Sequence, residues 1–133
     1  MRLWRTEVAK HIHTLENLDP VFKALLAEYR IPMPDFEVKF APPRKWSFDM
    51  AWIDMGVAIE VHGGIWSGGR HIRPKGFLND REKINAALAL GWSVLEFTSE
   101  QLRYIEAIET IMLVAEWRRK HVSGWKPKIK VIK

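Results

Sequence analysis

The sequence contains no cysteine in its 133 residues, which excludes both a disulfide framework and a zinc site built on thiolates. It also has no apolar run near the roughly 20 residues that a membrane-spanning helix needs. The first residues, with Arg2, Arg5 and Glu7, lack the apolar centre of a signal peptide. These absences lead to the expectation of an intracellular, cytoplasmic protein with no membrane partner. The five histidines form no repeated ligand pattern, and His11 and His13, two apart, do not share a helix face. Acid is in the minority: 16 Asp and Glu stand against 21 Lys and Arg, for a net charge of +5. A basic domain of this kind attracts polyanions, and phosphate contacts supply affinity without reading sequence. The length suits one domain with a single sizeable core.

Against that background one stretch stands out. Arg44 to Ile53 and Val57 to Gly64 read as two short strands rich in aromatic and β-branched residues, with Asp54-Met55-Gly56 as the turn between them. Each strand carries one acid in apolar company, Asp49 in the first and Glu60 in the second. Two such carboxylates either point to solvent as alternates of a half-buried sheet or meet at one hard cation. Mg²⁺ suits the second reading, because it takes oxygen ligands and keeps several waters. Val57, Ala58, Ile59 and Val61 form the apolar run of a central strand, where an ionised Glu60 needs a partner or a metal.

Asp49, the ten residues after it and Glu60-Val61-His62 resemble the metal-binding motif of the PD-(D/E)XK nuclease superfamily. His62-Gly63-Gly64-Ile65-Trp66, Asp80-Arg81 and Leu90-Gly91-Trp92-Ser93-Val94-Leu95 resemble its very-short-patch-repair-like phage and bacterial endonuclease domains. The likeness covers roughly residues 20 to 120. It implies an α/β, restriction-endonuclease-like core: a helix, a three-stranded meander, a helix, a strand and a helix around a mixed sheet. It also implies a metal-dependent endodeoxyribonuclease in a bacterial or phage-infected cytoplasm, using Mg²⁺ with Mn²⁺ as a substitute. Asp49, Glu60 and the Val61 carbonyl would hold the metal, and Glu37 or Glu28 would join if there were a second ion. The superfamily's usual lysine two positions after the glutamate is His62 here. By resemblance, Lys83 on the following helix is the candidate for a relocated lysine, against its plain reading as an exposed helix residue. The zinc-binding cysteines of the repair enzymes are absent.

Along the chain, residues 1–18 read as an arm or short helix, 19–122 as the core and 123–133 as a basic tail. Asp19 followed by Pro20 marks a helix start, and Phe22, Leu25, Leu26 and Tyr29 give that helix a core face to about Tyr29. Phe36, Val38 and Phe40 alternate with Glu37 and Lys39, the pattern of a strand with one buried face. This strand pairs as a hairpin with the Asp49 strand, with a register that sequence leaves open. Arg44 and Lys45 at the strand's mouth are candidate phosphate contacts, or else a solvated basic loop. The glycine-rich loop after His62 carries Trp66, Arg70, His71, Arg73 and Lys75, which suit a nucleic-acid backbone. Residues 76–90 read as a helix burying Phe77, Ile84, Ala87 and Leu88, with Gly91 as its stop. A strand follows over 92–97. Thr98 and Gln101 then form a capping-box signature for a last helix to about Lys120, with Leu102, Ile105, Ile108, Met112 and Ala115 on its core face.

The sequence therefore reads as a Mg²⁺-dependent DNA endonuclease acting in repair, recombination or phage DNA processing. Asp49, Glu60, His62 and Lys83 carry the chemistry. Two alternatives stay open: a branched-DNA resolvase of the same fold, which needs a homodimer to place two sites on paired strands, and a DNA-binding module with a degenerate site.

Overall fold

The computed structural model describes residues 18–62 and 74–127. Helix α1 spans Pro20–Glu28, strands β1, β2 and β3 span Asp35–Lys39, Ser47–Trp52 and Val57–His62, α2 spans Pro74–Ala89 and β4 spans Ser93–Thr98. A 3₁₀ turn, Gln101–Arg103, leads into α3, Ile105–His121. The sheet runs in chain order β1-β2-β3-β4, antiparallel for the first two pairings and parallel for β3 with β4. The parallel pair needs a crossover, and α2 supplies it. The architecture is α/β, with a mixed, open four-stranded sheet between two helical layers. Among the described residues no helix is long and apolar enough to cross a membrane.

Local chemistry explains the element ends. Asp19 caps α1, its Oδ1 accepting from the backbone N–H groups of Val21 at 2.8 Å and Phe22 at 3.3 Å, while Pro20 opens the first turn. Gly91 adopts a positive φ of 90° just past α2, and the Trp92 N–H returns to the Ala87 carbonyl at 3.0 Å, so the helix stops there. Thr98 and Gln101 exchange both bonds of a capping box, at 2.9 and 3.1 Å. The box closes the short 3₁₀ turn, however, and the last helix proper starts only at Ile105.

Two cores flank the sheet. Phe22 and Leu26 of α1 and Ile108, Ile111 and Ala115 of α3 pack with Met50, Trp52, Val57 and Ile59 on one side. Val38, Phe40, Phe48, Ala51, Ala58, Ala87 and Trp92 form the other, under α2. The expectation that β1 buries a single face is corrected here. Phe36 lies in the first core and Val38 in the second, although a regular strand would turn both to one side. Their β2 partners do the same: Met50, opposite Phe36, and Phe48, opposite Val38, also lie in different cores. Glu37 sits at the break with a φ of 49°, a left-handed conformation that resets the alternation.

Other expectations also change. Phe77 and Leu88 of α2 are 48% and 55% exposed, so that helix joins the core through buried Ala87 rather than a wide apolar face. Ile105 is exposed at the start of α3. In its place Arg118 is buried: its guanidinium donates to the carbonyls of Met55 and Gly91 and, at 3.1 Å, to Ser93 Oγ. Burial pulls its pKa below the usual arginine value, and the three acceptors engage its Nε and Nη1 donors. Trp125, placed by sequence in a basic tail, docks edge-on against Trp92 and donates from Nε1 to the Leu90 carbonyl at 3.0 Å.

Candidate functional site

Strands β3 and β4 run side by side in the same direction, and α2 returns between them, so its N-terminal half lies beside their carboxyl ends. A crevice at the carboxyl ends of parallel strands is where α/β sheets commonly take their ligands. Here an open pocket of about 190 Å³ is lined by Glu60, Val61 and His62 of β3, Asp80, Arg81, Lys83 and Ile84 of α2, and Glu96 of β4.

Glu60 is the buried acid of the site. The β2–β3 register pairs Met50 with Ile59, and one further step brings Asp49 opposite Glu60. Directly opposite residues point to the same face, so the two carboxylates adjoin. Asp49 is exposed, and its Oδ2 accepts from the backbone N–H of Val61 at 2.7 Å. Desolvation pushes the pKa of Glu60 above the ordinary glutamate value, and the Asp49 carboxylate pushes it the same way. Lys83 opposes both, since its ammonium pairs with Glu60 Oε1. The side chains of Lys83 and Glu60 are 16% and 8% exposed, so this is a largely desolvated ion pair rather than a surface one. The plain reading of Lys83 as an exposed helix residue is thereby corrected. Ala87, one turn further along α2, is fully buried on the sheet, and Lys83 shares its side of the helix.

His62 is exposed at the end of β3, with Nε2 3.0 Å from Glu96 Oε1. Glu96 carries no signal in the sequence as a site residue. The parallel register pairs Glu60 with Glu96 and His62 with Thr98, which brings Glu96 within reach of the ring.

The two acids fit a hard cation. Mg²⁺ is commonly bound by one or two carboxylates plus waters and substrate phosphates, and Asp49 and Glu60 offer such an all-oxygen pair. Among the described residues no group of three or more His, Asp or Glu side chains is arranged to hold a metal, so there is no all-protein cage. Glu37 is exposed at the break in β1, and Glu28 is exposed at the end of α1, in the helical layer across the sheet from Lys83. Among the described residues neither forms a three-acid group with the pair.

Arg44 and Lys45 are exposed in the connection before β2. The Arg44 guanidinium lies 3.9 Å from the centre of the Trp46 ring and 3.6 Å from Glu82, while Trp46 Nε1 donates to Asn79 Oδ1 at 3.1 Å. These contacts tie the connection to α2. Trp66, Arg70, His71 and Arg73 lie outside the described residues, as does the side chain of Lys75. No protein-family model, curated protein or solved structure matches the chain.

Proposed function

We propose that the protein is a Mg²⁺-dependent DNA endonuclease that hydrolyses phosphodiester bonds in DNA repair, recombination or phage DNA processing. The observation that carries this reading is that Glu60 of β3 is met by Asp49 of β2 and by Lys83 of α2, beside the pocket that Glu60 and Lys83 line. Two carboxylates that neighbour a lysine in a polar crevice suit a reaction in which a phosphate gains negative charge. Mg²⁺ bound there would supply a polarised water and a Lewis acid for a phosphate oxygen.

The chain's own residues have separable tasks. The Val61 N–H fixes Asp49 through Oδ2 and so holds its carboxylate beside Glu60. Glu60 presents the second carboxylate from a buried backbone, with little freedom to move. Lys83 brings a cation to the same pocket, where it would stabilise developing charge on a phosphate. With the ring proton on Nε2, His62 donates to Glu96 Oε1, and Nδ1 is then the acceptor that can hold an attacking water. Arg44 and Lys45, with the net charge of +5, favour a polyanionic substrate.

The test is incubation of the protein with supercoiled plasmid, a flap and a four-way junction, each with Mg²⁺, Mn²⁺ or EDTA. Metal-dependent nicking or cleavage that EDTA stops is the expected result. No cleavage of any of the three substrates in either metal would reject the reading.

A further inference from the structure

The ion pair of Glu60 with Lys83 places a cation on an oxygen that a metal would need. We infer that Lys83 antagonises divalent-cation binding at the Asp49–Glu60 pair, so that an incoming cation must displace the ammonium from Glu60 Oε1. The inference rests on the proposed metal site and adds to it the residue that sets its affinity.

Three observations combine. Lys83 Nζ pairs with Glu60 Oε1, one of four carboxylate oxygens offered by the two acids. Both side chains are largely withdrawn from water, where charges are screened weakly and like charges repel strongly. The pocket is open and lined on the α2 side by Arg81 as well as Lys83, so a displaced ammonium has room and a polar surrounding without leaving the site. The exchange balances without any covalent step. The hydrated cation gives up a water, gains the carboxylate oxygen and expels the ammonium, which keeps its proton. Lys83 is anchored by its own helix through buried Ala87 and stays at the mouth of the pocket, facing whatever anion the cation brings.

A lysine that merely helped the protein fold would not predict a gain of metal affinity on its removal. The measurement is direct titration with Mn²⁺, followed by the loss of the free-ion electron paramagnetic resonance signal. Native protein, Lys83→Met, Lys83→Arg and Asp49→Ala are compared, with folding checked by circular dichroism. Removing Lys83 takes away a cation that keeps Glu60 ionised, so the titrations are run at about pH 8.5 to prevent a proton from replacing it. Lys83→Met should bind Mn²⁺ at least about tenfold more tightly than the native protein, the scale of removing one nearby unit charge at weak screening. Lys83→Arg keeps the charge and should stay within about threefold of native. Lys83→Gln, which retains a polar donor, replaces Lys83→Met if the latter does not fold. Equal or weaker binding by the neutral variants, with native binding that Asp49→Ala abolishes, would overturn the antagonism and leave the metal site standing. No Mn²⁺ binding by any of the proteins would overturn both.

Discussion

The backbone N–H of Val61 donates to the Asp49 carboxylate at 2.7 Å, so the strand that carries the buried acid also aims the exposed one. Strand β3 therefore contributes twice to the pair, through the Glu60 side chain and through the peptide that follows it. This bond also gives Asp49 a defined direction that its exposure alone would not supply.

Asp49→Ala and Glu60→Ala should each reduce DNA cleavage by about a hundredfold or more, the scale for losing a group that organises charge at the reacting centre. On the proposed function, DNA binding in EDTA should survive in both, because phosphate contacts by Lys and Arg would carry it. Single-turnover cleavage and a filter-binding assay on the same preparations separate the two effects. Full cleavage by either variant would remove that residue from the site.

Stability should depend on pH through Glu60, with a sign opposite to that of most paired carboxylates. Its pKa is raised in the fold by burial, so the folded chain holds the proton to higher pH than the unfolded chain does. Below the ordinary glutamate value both states are protonated and Glu60 has no net effect. As pH rises past that value toward the raised one, the folded state must accept a charge it disfavours, and stability is lost. Glu60→Gln mimics the protonated group and should raise the melting temperature at neutral pH, with the gain fading in acid. Thermal melts of both proteins from about pH 4 to 8 test this. A gain of equal size at every pH would show that it arises from packing rather than ionisation.

Arg118→Met should destabilise the protein by about 3 kcal/mol, because it leaves the Met55 and Gly91 carbonyls and the Ser93 hydroxyl without their donor. Arg118→Lys should recover only a minority of the loss, since an ammonium lacks the planar fork that reaches separated acceptors. Urea unfolding gives both values. A change under about 0.5 kcal/mol in Arg118→Met would mean that water replaces the side chain without cost.

Arg44→Ala with Lys45→Ala should weaken DNA binding on all sequences alike and lower the slope of log affinity against log salt by about one unit per lost phosphate contact. Arg44 lies against both Trp46 and Glu82, so part of its charge is already engaged. A single Lys45→Ala isolates the freer side chain. An unchanged slope in the double variant would return these residues to a solvated loop.

Features fixed by residues a few positions apart were legible in the sequence. The Asp19 cap, the Thr98–Gln101 box, the Gly91 stop and the two acid-bearing strands depend on local rules. Lys83 was legible only as one candidate among the polar residues of α2, because its contact with Glu60 depends on the helix's rotation on the sheet, which no local pattern encodes. Arg118 belongs to an Arg-Arg-Lys run that reads as a solvated helix end, and nothing nearby in sequence announces its acceptors at Met55, Gly91 and Ser93. Glu96 gained its role from the parallel register alone. At Glu37 the alternating pattern misled: Phe36 and Val38 are both buried, but in different cores.

That change of face gives the β1–β2 hairpin the character of a twisted wall shared by two rooms. Phe36 and Met50 fill one, Val38 and Phe48 fill the other, and Asp49 stands at the crossing between Phe48 and Met50. Close-packed interiors transmit displacement rather than absorb it. A side chain enlarged in either core therefore presses on the hairpin from one side and turns the same short length of backbone. The aim of the Asp49 carboxylate is thus balanced between two packings, and its position can be shifted from residues that line neither the pocket nor each other's core.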